Sequence, residues 1–271
     1  MGAGDGLTGN PSAPIGVFDS GVGGLTVFRE IARALPGESL IYLGDSARVP
    51  YGTKSPQTVQ RYAHEAARHL LSRGVKMLVV ACNTATAAAL PSLQSSLSIP
   101  VIGVVEPGAR AAVDKTSGVV GVIATEGTVR SRAYTVAIKA LDPDVEVIES
   151  AAPLFVPLAE EGWANTHVAR EVAEIYLEPL IDHGIDTLVL GCTHYPILRG
   201  TIEQVVGDAV AIVDSAETTA LTVKEALGAS RSSATAASRQ FLVTDAEERF
   251  RRIAGEFLEQ EIRDLEVVTL G

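Results

Sequence analysis

The chain has 271 residues, 46% hydrophobic and 20% charged, an ordinary globular balance with room for one large domain or two moderate ones. Its 33 acidic and 22 basic side chains give a net charge of -11, which argues against general binding to nucleic acid or an anionic membrane. No apolar run approaches the roughly 20 residues of a membrane helix, and the 2 cysteines form neither a disulfide framework nor a CxxC pair, so a reduced, cytoplasmic protein is expected.

Residues 1–13 carry neither a positive n-region nor an apolar h-region, and read as a disordered Gly-rich tail rather than a secretory signal. IGVF (15–18) is a strand candidate, followed by glycines and the helical pattern LTVFREIARAL (25–35), which Pro36-Gly37 stops. LIYLG (40–44) is a second strand. Ser55 then offers an N-cap, with Pro56 at the first helical position. Val59, Tyr62, Ala63, Ala66, Leu70 and Leu71 recur at helical spacing up to Gly74. MLVVA (77–81), VIGVV (101–105) and VVGVIA (119–124) suit buried parallel strands. Farther on, ASRSSATAAS (229–238) reads as a loose surface loop and QFLVT (240–244) as a strand. Asp245 and Glu248 fit an Asp-x-x-Glu cap for a following helix. Strand–helix alternation of this kind predicts an α/β fold with mainly parallel sheets.

An internal repeat organises these elements. GVKMLVVACNT starts at Gly74 and GIDTLVLGCTH at Gly184, and each cysteine, Cys82 or Cys192, stands at the same offset from its glycine. IGVFDSG (15–21) likewise resembles VGVIATEG (120–127), which places Thr125 beside the end of a strand. The chain is therefore expected to form two pseudo-symmetric α/β domains with a site in the cleft between them. The first domain comprises residues 14–106 plus 214–271, and the second 107–213.

Chemistry concentrates at the predicted strand ends. DSGVGG (19–24) opens a helix, but Thr26 breaks the GxGxxG spacing and no P-loop lysine follows. Either a small-anion cradle or a simple tight turn fits. A lone cysteine after a strand is most simply a small buried hydrophobe. Two, at equivalent strand ends where open α/β sheets bind ligands, suggest more. Asn83, Thr84 and Thr193 add neutral hydrogen-bonding groups. His194, two residues past Cys192, shares its face if the segment is extended, and a structural turn histidine is the alternative. Zinc bound by Cys82, Cys192 and His194 would have a non-standard spacing, and no metal is expected. Asp19 and Asp45 fit either acids or Asx turns. Val49-Pro50-Tyr51-Gly52 reads as a turn that could line a pocket, and Glu160-Glu161 as a solvated face. His64, His69, His167 and His183 fall on predicted helices and read as structural or exposed. Two thiols about 3–3.5 Å from one carbon acid would lie roughly 7 Å apart, too far for a disulfide. One could remove a proton and the other return one on the opposite face, with Asp19 and His194 managing the protons.

These segments closely resemble the cofactor-independent glutamate racemases. The likeness runs through PIGVFDSGVGGLTV, YLGDSARVPYG, ACNTAT, GVIATEGT, PLFVPLAEEG, LVLGCTHYP and DSAETTA, over about residues 14–220. The resemblance implies interconversion of L- and D-glutamate without a cofactor, supplying D-glutamate for peptidoglycan. It implies that Cys82 acts on D-glutamate, assisted by Asp19, and Cys192 on L-glutamate, assisted by His194. Substrate contacts would fall on Asp19, Ser20, Tyr51, Gly52, Asn83, Thr84, Thr193 and His194, with Asp45, Glu160 or Glu161, and Thr125 as assisting positions. Many relatives carry another cysteine where this chain has Ala152. Dimers are common among them, which makes a homodimer an expectation. The alternatives are an aspartate racemase or another relative acting on a related acid, and, more distantly, a non-enzymatic two-lobed amino-acid-binding protein. A pyridoxal enzyme is disfavoured because Lys54 and Lys76 have no phosphate cradle beside them.

Overall fold

A computed structural model describes residues 10–232, 237–262 and 264–271. Its strands are β1 (Ile15–Asp19), β2 (Leu40–Gly44), β3 (Met77–Val80), β4 (Val101–Gly103), β5 (Val119–Ala124), β6 (Glu146–Ala151), β7 (Thr187–Gly191), β8 (Ala211–Asp214), β9 (Arg239–Val243) and β10 (Leu265–Val267). The helices are α1 (Leu25–Ala34), α2 (Pro56–Ser72), α3 (Asn83–Ser96), α4 (Val105–Val113), α5 (Glu126–Ser131), α6 (Ala133–Leu141), α7 (Phe155–Glu160), α8 (His167–Asp182), α9 (Arg199–Val206), α10 (Ser215–Leu227) and α11 (Glu247–Leu258).

Two parallel sheets result. One has the order β10-β9-β2-β1-β3-β4 and the other β6-β5-β7-β8. The first four strands of each half therefore follow one order, second-first-third-fourth, as the sequence repeat requires. The paired glycines Gly74 (φ 76°) and Gly184 (φ 83°) end α2 and α8 in the left-handed region, where a Cβ would be strained. β1, β2, β3 and β7 are buried along their whole length, which explains their unbroken apolar runs. The helix α10, leaving the second sheet, packs along α1 of the first and joins the lobes. Phe28, Tyr42 and Phe241 fill the first lobe's core, and Phe155 meets Tyr195 edge-on in the second.

Several expectations need correction. Residues 1–9 of the expected tail lie outside the described residues, but residues 10–13 form a turn, and the Lys76 ammonium donates to Pro11 O at 2.6 Å. The VIGVV strand ends at Gly103, because the chain turns into α4 to leave the first sheet. The Asp245 cap does not form. Ala246 (φ 56°) is the N-cap of α11, while the Asp245 carboxylate accepts its neighbour's N–H at 2.6 Å. The Ser46 hydroxyl holds the Asp245 carbonyl and so fixes this turn. Of the loop expected over 229–238, residues 233–236 lie outside the described residues. The short edge strand β10 and the half-exposed edge strand β6 carried no strong apolar signal.

A buried ion pair holds the first sheet's N-terminal edge. Lys76 Nζ lies 2.7 Å from Glu38 Oε2, both side chains almost wholly buried, and the Ser232 N–H donates to Glu38 Oε1 at 2.6 Å. Removing one member strands the other's charge. Glu38→Ala is expected to lower stability by about 3–5 kcal/mol in urea unfolding, and Lys76→Met added to it to restore most of the loss.

Candidate active site

In each sheet the strand order reverses between the first and third strands, and the crevice at their C-terminal ends is where such folds accept ligands. β1 delivers Asp19 and Ser20 there, and β3 delivers Cys82, Asn83 and Thr84. In the other sheet β5 delivers Thr125, and β7 delivers Cys192, Thr193 and His194. The side chains at these positions are buried except for Ser20 and Thr125, which are partly so.

The DSGVGG turn has a use that neither sequence reading contained. The backbone N–H groups of Gly21, Gly24 and Ser20 all serve the Asp19 carboxylate, with Gly21 at 2.9 Å. The anion this turn cradles is thus the protein's own. The same glycines also let the lobes meet. A Cβ on Gly23 would stand 2.4 Å from both His194 Nδ1 and Thr193 Oγ1, and one on Gly24 would stand 2.5 Å from Asp19 Cβ. Across the junction Thr26 Oγ1 donates to Thr193 O at 3.1 Å, and Thr193 Oγ1 lies 3.5 Å from Asp19 Oδ1.

Cys82 N-caps α3. Its Sγ accepts the Ala85 N–H at 3.4 Å and lies 3.5 Å from Ser20 Oγ. Burial first, and then the Asp19 charge, push the Cys82 thiol up to about 12, against the opposing pull of Ser20 and the Ala85 N–H. Cys82 is therefore a protonated thiol at neutral pH. A charge on Cys192 raises it further. The Asp19 carboxyl is itself raised by burial, in opposition to His194 and the three N–H donors.

On the other side the chain is a turn, not the extended segment expected. The Tyr195 N–H donates to Cys192 O at 3.1 Å, and His194 is in the helical region. Cys192 and His194 still meet, because this turn folds the imidazole back until Nδ1 lies 3.8 Å from Sγ. His194 Nε2 lies 3.0 Å from Glu160 Oε1, and Arg249 holds the other Glu160 oxygen at 2.9 Å. Glu161, half exposed, reaches Arg249 and, among the described residues, not His194. Burial would lower the His194 pKa, but hydrogen bonds and charges from Cys192 and Glu160 raise it to about 10. Burial would raise the Glu160 pKa, but His194 and Arg249 hold it below its ordinary value. The solvated face of the sequence reading is thus, for Glu160, a partly buried link in a relay of alternating charge that runs from buried His194 out to exposed Arg249.

The remaining candidates divide. Thr84 Oγ1 lies 2.8 Å from Thr125 Oγ1 across the lobes, and a Cβ on Gly52 would stand 2.8 Å from Thr125 Cβ. Asp45 is not brought to either thiol. It is fully buried and accepts from Arg48 at 2.6 Å, from Thr244 at 3.0 Å and from the Tyr51 hydroxyl. Tyr51 therefore spends its hydroxyl on the scaffold, and its ring packs against Phe18 and Tyr62. Among the described residues no group of three or more His, Cys, Asp or Glu is placed to hold a metal ion, so the zinc trio does not assemble. His64 bonds Ser92, and His183 bonds Glu146, away from these groups. The sequence reading missed Arg249 and Tyr134. The Tyr134 hydroxyl donates to Asn83 Oδ1 at 2.7 Å from the opposite lobe, and only its place on a helix's apolar side marked it at all.

The chain matches the sequence profile of the Asp/Glu/Hydantoin racemase family over residues 15–223. It is 54% identical to a glutamate racemase of Geobacter metallireducens over 264 residues, 96% of this chain and 98% of that one. The fold is similar to a Bacillus anthracis glutamate racemase, with a TM-score of 0.90, 43% identity and coverage of 95% of this chain and 98% of that one. It is also similar to a Francisella tularensis glutamate racemase in complex with D-glutamate, with a TM-score of 0.91, 38% identity and coverage of 96% and 98%.

Two consequences can be measured. Gly23→Ala should cost about 1–3 kcal/mol of stability through overpacking at the lobe junction, whereas Gly255→Ala, whose Cβ would meet nothing within 4 Å, should be neutral or stabilising. The His194–Glu160 pair favours protonated His194. Its stability is complete below the ordinary histidine value of 6.5 and is lost as pH rises through about 10. Glu160→Gln should therefore lower the His194 titration seen by NMR, and cost about 2 kcal/mol at pH 6 but much less at pH 10.5.

Proposed function

The chain belongs to the Asp/Glu/hydantoin racemase family, and we propose that it interconverts L- and D-glutamate without a cofactor, in the cytoplasm, supplying D-glutamate for peptidoglycan. The observation that carries this reading is the pair of thiols at equivalent strand ends of two repeated sheets, close enough for a charge on one to act on the other. We assign the lobes to residues 14–106 with 214–271 and to residues 107–213, a division supported by sheet membership except at Asp214, which closes β8 of the second sheet, and expect a homodimer.

In the L-to-D direction Cys192, as thiolate, takes the α-proton. The C–H pair stays on carbon, an S–H bond forms at Cys192, and the Cys82 S–H bond breaks as its proton reaches the opposite face. The product is the D enantiomer, with Cys82 left as the thiolate. Reversal starts from that state. The high pKa of Cys82 supports its role as the resting proton donor. A protonated His194 can hydrogen-bond a sulfur anion at Cys192. Asp19 serves the Cys82 side through proximity and charge. Ser20, Asn83, Thr84 and Thr193 supply neutral hydrogen bonds, and the N-terminus of α3 adds its dipole for a substrate carboxylate. Glutamate rather than aspartate rests on the relatives of high identity, whose names are glutamate racemase.

Incubation of either glutamate enantiomer in deuterium oxide without added cofactor should give inversion with deuterium at the α-carbon. A two-lobed binding protein would leave both unchanged, and that result from folded protein would refute the proposal. Cys82→Ala and Cys192→Ala should each cut racemisation by at least about 100-fold. Full turnover in either variant would remove the two-thiol mechanism.

A further inference from the structure

The residue that orients Asn83 lies in the opposite lobe. Asn83 is the first residue of α3, adjacent to Cys82, and is buried. Its Oδ1 is taken by the Tyr134 hydroxyl at 2.7 Å, whereas its Nδ2 has no hydrogen-bond partner among the described residues. An amide that keeps two N–H donors buried without an acceptor is costly, and such orphans in native structures call for a specific explanation. Tyr134 is itself fully buried and closely framed. A Cβ on Gly108 would stand 3.2 Å from its ring, and one on Gly191, the residue before Cys192, would stand 3.0 Å away.

We propose that Tyr134 is a positioning residue for the reaction: its hydroxyl fixes the Asn83 amide so that the Nδ2 donor is presented to a carboxylate of the bound amino acid. The proposal rests on the racemase reading for the identity of that ligand. A tyrosine that donates leaves oxygen as the occupied end of the amide and nitrogen as the free one. A free nitrogen seeks an acceptor, and a carboxylate is an acceptor only. Because α6 carries Tyr134 and α3 carries Asn83, this contact also ties substrate binding to the packing of one lobe against the other. It acts on bound substrate and transition state alike, so its loss should appear in KM rather than kcat.

The test uses Tyr134→Phe in the full chain, which keeps the ring between the two glycines and removes only the hydroxyl. KM for both glutamate enantiomers, and Kd for D-glutamate by calorimetry, should rise about tenfold with kcat changed less than about twofold. In an Asn83→Ala background Tyr134→Phe should add nothing further, because it acts through the amide. Asn83→Asp tests the same polarity without touching the tyrosine. It can still accept the Tyr134 hydrogen bond but turns an acceptor toward the ligand, and should bind D-glutamate at least about tenfold more weakly. Unchanged KM and Kd in Tyr134→Phe, an equal added loss in the Asn83→Ala background, or wild-type affinity in Asn83→Asp would each overturn the proposal while leaving a racemising wild type intact. A wild-type protein that neither binds nor racemises glutamate would overturn the racemase reading, and this one with it.

Discussion

The rest of the site depends on the approach of two backbone turns, the β1–α1 turn of one lobe and the Cys192–Tyr195 turn of the other. Where they meet there is no room for a Cβ on Gly23. That contact brings Thr193 to Asp19 and His194 toward the first lobe. The thiols stand at strand ends of separate sheets, each just beyond a buried strand whose register is fixed by parallel pairing. A larger residue at the junction would move one sulfur relative to the other, and displacements of about an ångström matter for proton transfer between fixed groups.

Burial then sorts the charges. The chain is acidic overall, and the site adds a buried carboxylate, Asp19, beside the buried thiol of Cys82. Desolvation raises both pKa values on that side, reinforced at Cys82 by the Asp19 charge and opposed at Asp19 by His194 and the turn's N–H groups. On the other side the imidazole of His194, held by Glu160 and Arg249, supplies the opposite sign. Two chemically identical side chains thereby meet different surroundings, one beside an anion and the other beside a cation. That difference is what a reaction needs if one sulfur is to begin as donor and the other as acceptor.

Much of this was legible in the residues. The repeated glycine-strand-cysteine unit carried the sheet order of both halves, because helix ends and buried strands are local features and a duplicated pattern folds in a duplicated way. Asp45 and Tyr51 were harder to read. Their motif placed them beside the site, yet Arg48 and Thr244, the latter distant in sequence, claim the Asp45 carboxylate. The Asp245 cap failed for a similar reason, since Ser46 holds the turn that would have formed it. Arg249 gave no local signal and Tyr134 only a place on a helix's apolar side, because each acts through a partner contributed by the other lobe.

The amino-acid order alone determined the parallel α/β architecture, its duplication, and the placement of Cys82 and Cys192 at equivalent strand ends. Burial periodicity and turn chemistry act over a few residues and are written in the chain. Tertiary structure alone decided which groups share the cleft: that Asp19 is cradled by its own glycine turn, that Glu160 rather than Glu161 holds His194, and that the second cysteine meets its histidine through a turn. The Glu160 contact joins residues far apart in sequence, and the other two are local turns whose geometry spacing alone left open, so ångström-scale packing and desolvation choose among side chains that composition and spacing leave equivalent.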